Sequence, residues 1–318
     1  MVINLILVFL ISAIMGLIIA PFIIYLCKRL KVSQTILHYV DKHKKKEGTP
    51  TMGGLIFILA SFFSILAFLN KDGINVLFCF AVTFGYALLG FLDDFIKVYY
   101  KQNEGLKPYQ KIIGQVGLSI IVSLYVYFNI GTSIEFFNLE INLGIFIIPF
   151  VILTLVATTN SVNLTDGLDG LAGGVSFVYI IFFGIILAVS SLNQNYVYAL
   201  SCFAFAGGLL AFLLFNFYPA KIFMGDTGSL AIGGFISMMA FMTRKEFLIV
   251  FMGIMFVLSA VSDIIQVLYY KRTKKRIFLM APLHHHIEQK NVHENKIVII
   301  YIFITIIVSS LMLIYYLL

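Results

Sequence analysis

Residues 2–26 read VINLILVFLISAIMGLIIAPFIIYL, and the chain turns basic immediately afterwards at Lys28, Arg29 and Lys31. A helix needs about 20 apolar residues to cross roughly 30 Å of hydrocarbon, and this run exceeds that without a single charge. No basic residue precedes it and it is too long for the h-region of a signal peptide, so the expectation is a retained span. Positive charge on its C-terminal side places the N-terminus outside and the next loop in the cytoplasm.

Similar runs recur outward along the chain. Beyond 3–26 they cover 52–69, 75–92, 112–130, 145–160, 171–190, 196–217, 228–243, 247–268 and 297–317. They lack the alternation of barrel strands, and only helices and closed barrels satisfy their backbone in lipid. A hydrophobic fraction of 61%, a charged fraction of 12% and a mean hydropathy of +1.01 exclude a soluble globular protein. The expected fold is all-α and polytopic, with ten transmembrane helices, both termini outside, and a single integral membrane domain over 1–318. The segment 132–142, where Ile134, Phe136, Leu139 and Ile141 flank Asn138, reads as a short extracellular β-hairpin.

On this topology the cytoplasmic loops are 27–51, 93–111, 161–170, 218–227 and 269–296. They hold 19 of the 22 Lys and Arg residues, only Lys71, Arg244 and Lys245 falling outside them. That asymmetry accounts for the net charge of +7, and Lys44 to Lys46 or Lys271 to Arg276 suit anionic membrane lipid. Nucleic acid is excluded as a partner, because the basic loops are short and lack an interleaved aromatic surface. Cys27, Cys79 and Cys202 are widely spaced, with no C-x-x-C pair, and read as packing residues. In the absence of Trp, the Tyr pairs at 99–100, 269–270 and 315–316 serve as interfacial anchors.

The chemistry lies at the expected cytoplasmic ends. Asp93, Asp94, Asp166, Asp169 and Asp226 come from three loops at one membrane depth, where carboxylates are expensive and functional by default. Neighbours on a helix diverge by about 100°, so Asp93 and Asp94 are not expected to share one ion, whereas Asp93 and Lys97 can pair. Lys97 also occupies the place where a prenyl synthase would need its third Asp. Asn163, Asp166 and Asp169 repeat every third residue beside Gly167 and Gly170 and project to one side. A calcium loop would require Glu where Phe177 stands.

Asp226 sits between Gly225 and Gly228 at the start of the eighth span, a turn suited to phosphate and Mg²⁺, or equally to a simple helix N-cap. His284, His285 and His286 are consecutive, which suits a tetrahedral zinc site poorly and hydrogen bonding to pyrophosphate better. Lys46 to Gly54 alone says turn, then helix. An ion-coupled carrier is the competing class, but carriers place ionisable groups near the midplane, and here only Asp263 lies inside an expected span.

Together, Thr49-Pro50-Thr51-Met52-Gly53-Gly54, Asp93-Asp94, Asn163 to Gly170, Phe223 to Ser229 and Ala281-Pro282-Leu283-His284-His285-His286 resemble the polyprenyl-phosphate N-acetylhexosamine-1-phosphate transferases. The Pro-Leu-His-His-His string points to the phospho-N-acetylmuramoyl-pentapeptide transferase branch. The resemblance spans essentially the whole chain. It implies ten transmembrane helices, a homodimer, Mg²⁺, and transfer from UDP-MurNAc-pentapeptide to undecaprenyl phosphate.

By motif match, it implies Asp226 as the Mg²⁺ ligand and Asp93 as the residue nearest the lipid phosphate, with Asp94, His284 and His285 among the catalytic groups. Asn163, Asp166, Gly167, Asp169, Asn216, Phe223, Gly225, Gln266, Thr51 and His286 would line the substrate pocket, with Lys46, Lys97 and Lys111 as phosphate contacts.

Overall fold

The computed structural model describes residues 1–30, 32, 48–69, 73–102, 104–137, 139–190 and 195–318. Lys46, Lys44, Lys45, Lys71 and Asn138 lie outside the described residues, as does most of the expected loop 27–51. The chain runs α1 (Val2–Arg29), α2 (Gly54–Leu66), α3 (Ile74–Tyr99), and α4 (Pro108–Tyr125) extended by a π-helical turn (Val126–Ile130). A hairpin of β1 (Ser133–Phe136) and β2 (Leu139–Asn142) follows, then α5 (Ile147–Thr165), α6 (Leu171–Ser190), α7 (Tyr196–Asn216) and α8 (Gly225–Met242). The chain closes with α9 (Phe247–Met252), α10 (Ile254–Thr273), α11 (Leu283–Gln289) and α12 (Glu294–Leu317).

Among the described residues, eight helical stretches are long and apolar enough to cross a membrane, and the molecule is an all-α polytopic membrane protein. The other two expected spans correspond to α2, with 13 residues, and α8, with 18 residues. The remaining departures have local causes. The expected span 247–268 is interrupted at Gly253, where α9 stops and α10 begins, and α10 runs on to Thr273. The third helix continues beyond its expected end, so Asp93, Asp94 and Lys97 are helical rather than in a loop. The loop expected over 269–296 contains the short helix α11, which carries the histidines.

The packing order inverts that of a water-soluble protein. Every residue of α8 from Thr227 to Met242 is buried, whereas α1 and α12 present exposed Ile, Leu and Phe to the surroundings. Lipid accepts such surfaces, so helix association depends on close packing. Polar and small residues make α8 the hub: a Cβ on Gly54 would collide with the backbone of Gly228, so α2 and α8 cross in direct backbone contact. The hairpin pairs antiparallel with Ile134 opposite Ile141 and Glu135 opposite Glu140. Phe136 packs edge-on against Phe247, fastening the hairpin beside α9. From Lys111 to the end of α4 is about 20 Å of helix rise, which separates the hairpin from the acidic end of the bundle.

Candidate active site

The acidic end is organised by contact between α3 and the first turn of α8. Gly90 abuts the carbonyl of Asp226, and a Cβ there would collide with it. One turn further along α3, the Asp94 carboxylate reaches the open N-terminus of α8. Its Oδ1 accepts the Asp226 N–H at 3.1 Å, and its Oδ2 accepts the Thr227 N–H at 3.0 Å and the Thr227 hydroxyl at 2.7 Å. Asp94 therefore satisfies orphan donors that a capping residue within α8 would otherwise take. That capping leaves the Asp226 side chain available for other partners.

Those partners are cations and an amide from three other helices. Lys111 Nζ donates to Asp226 Oδ2 at 2.8 Å, Lys97 Nζ to the same oxygen at 3.2 Å, and Asn163 Nδ2 to Oδ1 at 2.7 Å. Asn163 also donates to Ser229 Oγ at 2.8 Å. Burial opposes ionisation here, but the Lys111 and Lys97 ammoniums hold the Asp226 carboxyl well below the usual carboxylate range. Lys97 simultaneously forms a contact ion pair with Asp93 Oδ2 at 2.6 Å, as their i,i+4 spacing predicts. Leu106 N–H donates to Asp93 Oδ1 at 2.9 Å, folding the segment before α4 over that carboxylate.

Asp93, Asp94 and Asp226 each offer an oxygen lying within 4.8 Å of the others. The expectation that Asp93 and Asp94 diverge too far to share an ion is thereby corrected. Each carboxylate is turned by its own partner, Asp93 by Lys97 and Leu106 and Asp94 by α8, and the two converge despite the helical offset. Oxygen donors without thiol or imidazole suit a hard divalent cation such as Mg²⁺, which typically takes one or two carboxylates plus substrate phosphates and water.

The Asn163 to Gly170 segment lies between the acidic cluster and the histidines. Asp166, just past α5, is pushed up to about 8 by burial and by the carboxylates of Asp226, Asp94 and Asp169. Asp169 N–H donates to Glu294 Oε1 at 2.5 Å, and Asp169 Oδ2 accepts the Ala220 N–H at 3.0 Å. Asn216 accepts the Gly170 N–H at 3.0 Å and donates to the Ile222 carbonyl at 2.9 Å, locking this loop to the one before α8. Phe223 donates its N–H to the Pro50 carbonyl, and its own carbonyl accepts the Gly53 N–H, each at 2.8 Å. The Thr49 to Gly54 segment is thus bound to the α7–α8 loop. Buried Thr51 lies beside Gly225, whose φ of +73° suits glycine.

The histidines sit on α11 against the other side of that segment. A side chain at Gly167 would collide with Nε2 of both His284 and His285. His284 is fully buried, tilted over His285 at 4.4 Å and edge-on to Tyr301. Burial and the neighbouring His285 push its imidazole well below the ordinary value, so it is neutral at pH 7. His285 Nδ1 is 2.9 Å from Glu288 Oε2. His286 instead turns outward and accepts the Leu279 N–H at 3.1 Å. Gln266 accepts the N–H groups of Ile277 and Phe278 and donates to the Phe278 carbonyl, so it shapes the α10–α11 loop.

Several participants carried little sequence signal. Glu288, at the end of the histidine string, is 2.9 Å from His285, and Glu294, outside every motif, accepts the Asp169 N–H. Gln115 and Asn160 pair inside the bundle; a polar residue in an apolar span was the available clue. Asp263 is partly buried within α10, and no metal-ligating group among the described residues includes it.

Comparison with known proteins gives a consistent picture. The model of glycosyl transferase family 4 matches residues 76–244, and a phospho-N-acetylmuramoyl-pentapeptide-transferase signature matches residues 46–58. The chain is 45% identical over 301 residues to a phospho-N-acetylmuramoyl-pentapeptide-transferase of Clostridium perfringens strain 13, covering 93% of this chain and 94% of that protein. Similar relatives of the same name occur in Thermoanaerobacter pseudethanolicus, at 45% over 92% of each chain, and in Clostridium novyi, at 41% over 96% of this chain and 94% of the relative.

Proposed function

Because the chain belongs to glycosyl transferase family 4, within the phospho-N-acetylmuramoyl-pentapeptide-transferase family, we propose that it transfers phospho-MurNAc-pentapeptide from UDP-MurNAc-pentapeptide to undecaprenyl phosphate. The products are lipid I, in the first membrane step of peptidoglycan synthesis, and UMP. The observation that carries this reading is the convergence of α3, α4 and α5 on Asp226, with two lysines at 2.8 and 3.2 Å and Asn163 at 2.7 Å.

The reaction brings several negative charges together, so the barrier is mainly electrostatic and positional. The lipid phosphate, with a second pKa near 6, is largely a dianion at neutral pH and needs little deprotonation. Its oxygen attacks the phosphorus bonded to the sugar, the bond from that phosphorus to the bridging oxygen breaks, and UMP leaves with the electron pair. Lys97 and Lys111 supply positive charge where negative charge gathers. Asp93, fixed by Lys97 and Leu106, orients the acceptor phosphate. Asp94 holds α8 in register, and the loop carrying Asn163, Asp166 and Asp169 positions the nucleotide with the α11 histidines.

Asp226 is the residue we assign to Mg²⁺, with Asp93 and Asp94 close enough to contribute. The ion, when bound, supplies Lewis-acid neutralisation of the phosphate oxygens. A direct displacement is favoured over an aspartyl-phosphate on Asp226, because a carboxylate that holds Mg²⁺ would be a poor nucleophile. The charge asymmetry of the loops supports a site facing the cytoplasm in the bacterial plasma membrane, and the family resemblance supports a homodimer.

The experiment is release of UMP from UDP-MurNAc-pentapeptide by the purified protein with undecaprenyl phosphate, with Mg²⁺ and after chelation. Release that requires both substrates and stops on chelation is expected. Exclusive use of UDP-GlcNAc as donor would move the assignment to another branch, and a chelation-insensitive rate would remove the metal role.

A further inference from the structure

Beneath the cluster around Asp226 lies a second polar layer that the chemistry above does not use. Gln115 and Ser119 on α4 and Tyr86 on α3 are fully buried. Asn160 on α5 donates from Nδ2 to Gln115 Oε1 at 2.7 Å, and Gln115 Nε2 donates back to Asn160 Oδ1 at 3.4 Å. The Tyr86 hydroxyl meets Ser119 Oγ at 2.8 Å and the Gln115 carbonyl at 3.3 Å. Gln115 follows Lys111 by four residues and Asn160 precedes Asn163 by three, so the pair lies about one turn deeper on the same helix faces.

Away from water, an unpaired amide is costly. Asn160 Nδ2 also donates to the Val156 carbonyl of its own helix at 2.7 Å, but the fully buried Gln115 amide has Asn160 as its side-chain partner, so a slip of α4 against α5 would leave the Gln115 amide unmatched. That same register brings Lys111 Nζ and Asn163 Nδ2 to opposite oxygens of Asp226.

We propose that Gln115 and Asn160 form an amide clasp that positions Lys111 and Asn163 on Asp226 for the transfer. The clasp does not touch the carboxylates itself. The inference rests on the reading of Asp226, Lys111 and Asn163 as the transfer site.

The test compares wild type, Gln115→Ala, Asn160→Ala, the exchanged pair Gln115→Asn with Asn160→Gln, Lys111→Met, and Lys111→Met with Gln115→Ala. Each alanine variant should lower kcat for UMP release at least about tenfold, with KM for the nucleotide substrate within about threefold. The exchanged pair, which keeps both amides and moves one methylene across the clasp, should return to within about threefold of wild type. In the Lys111→Met background, Gln115→Ala should cost less than about twofold more, because the interaction it supports is already gone.

An independent readout is acetylation of Lys111 by acetic anhydride, followed by mass spectrometry against exposed Lys107 on the full-length protein. It should rise several-fold in Gln115→Ala and fall back in the exchanged pair. Equal losses with and without Lys111, unchanged acetylation, or an exchanged pair as impaired as the alanine variants would each overturn the clasp. Should an alanine variant fail to fold, the exchanged pair decides by itself. If wild type released no UMP while acetylation responded as expected, the substrate assignment would fall and the clasp would stand.

Discussion

Asp94 and Asp226 show how similar carboxylates acquire different work from their neighbours. Asp94 is occupied by the start of α8, and Asp226, relieved of that task, faces Lys97, Lys111 and Asn163. A further acid tests the same electrostatics far from this site. Glu246, between α8 and α9, is buried, and burial pushes its carboxyl up to about 8, with Glu135 adding to the effect and Arg244 and Lys245 opposing it. The unfolded carboxyl titrates near 4.3, so between those values the folded chain keeps a proton that the unfolded chain has lost. Stability must therefore fall as pH rises from about 4.3 towards about 8, and above that the loss from this group is complete and changes no further with pH. Glu246→Gln should show a smaller loss of Tm between pH 5 and pH 8 than wild type. Parallel curves for the two proteins would contradict the assignment. At this scale the sequence exposed Asp226 through its flanking glycines, but it hid the role of Asp94, whose partners are backbone groups 132 and 133 residues away.

Among elements, α8 dominates. Its small residues allow α2, α3 and α5 to approach closely, and Gly90 brings α3 against its first turn. Gly90→Ala should therefore displace that turn, costing about 1–3 kcal/mol of stability by overpacking. A shift of about 1 Å at Asp226 is enough to lower kcat by roughly a hundredfold. Steady-state UMP release with Tm measured in detergent checks both; unchanged kcat would show that the contact is not needed to place Asp226. Apolar run length indicated where most helices lie, because solvation by lipid dictates it. The break at Gly253 was hidden, because its neighbours Met252 and Ile254 are as apolar as a continuous span. The helix carrying His284 to His286 leaves no periodic signal, because its seven residues span too few turns.

For the whole molecule, the hairpin and the acidic cluster occupy opposite ends of α4, and the distribution of Lys and Arg predicts that the acidic end faces the cytoplasm. Lys107 and Glu140 are exposed at those two ends, and Cys27, Cys79 and Cys202 are buried. A membrane-impermeant maleimide applied to intact spheroplasts should label Glu140→Cys and reach Lys107→Cys only after permeabilisation. The reverse pattern would invert the topology. The convergence of distant motifs was legible because each ends an apolar run on the same side. The partner of each side chain was not, because it depends on which helices touch.

The account centres on Asp226 as the charge centre that four helices assemble. Its most direct test is UMP release by Asp226→Asn at saturating substrates across a Mg²⁺ titration, with Tm verifying the fold. The predicted result is a folded protein whose turnover is lower by at least about a thousandfold, as expected when a site built on electrostatics loses its central charge. A variant with near-normal rate and unchanged Mg²⁺ dependence would contradict it.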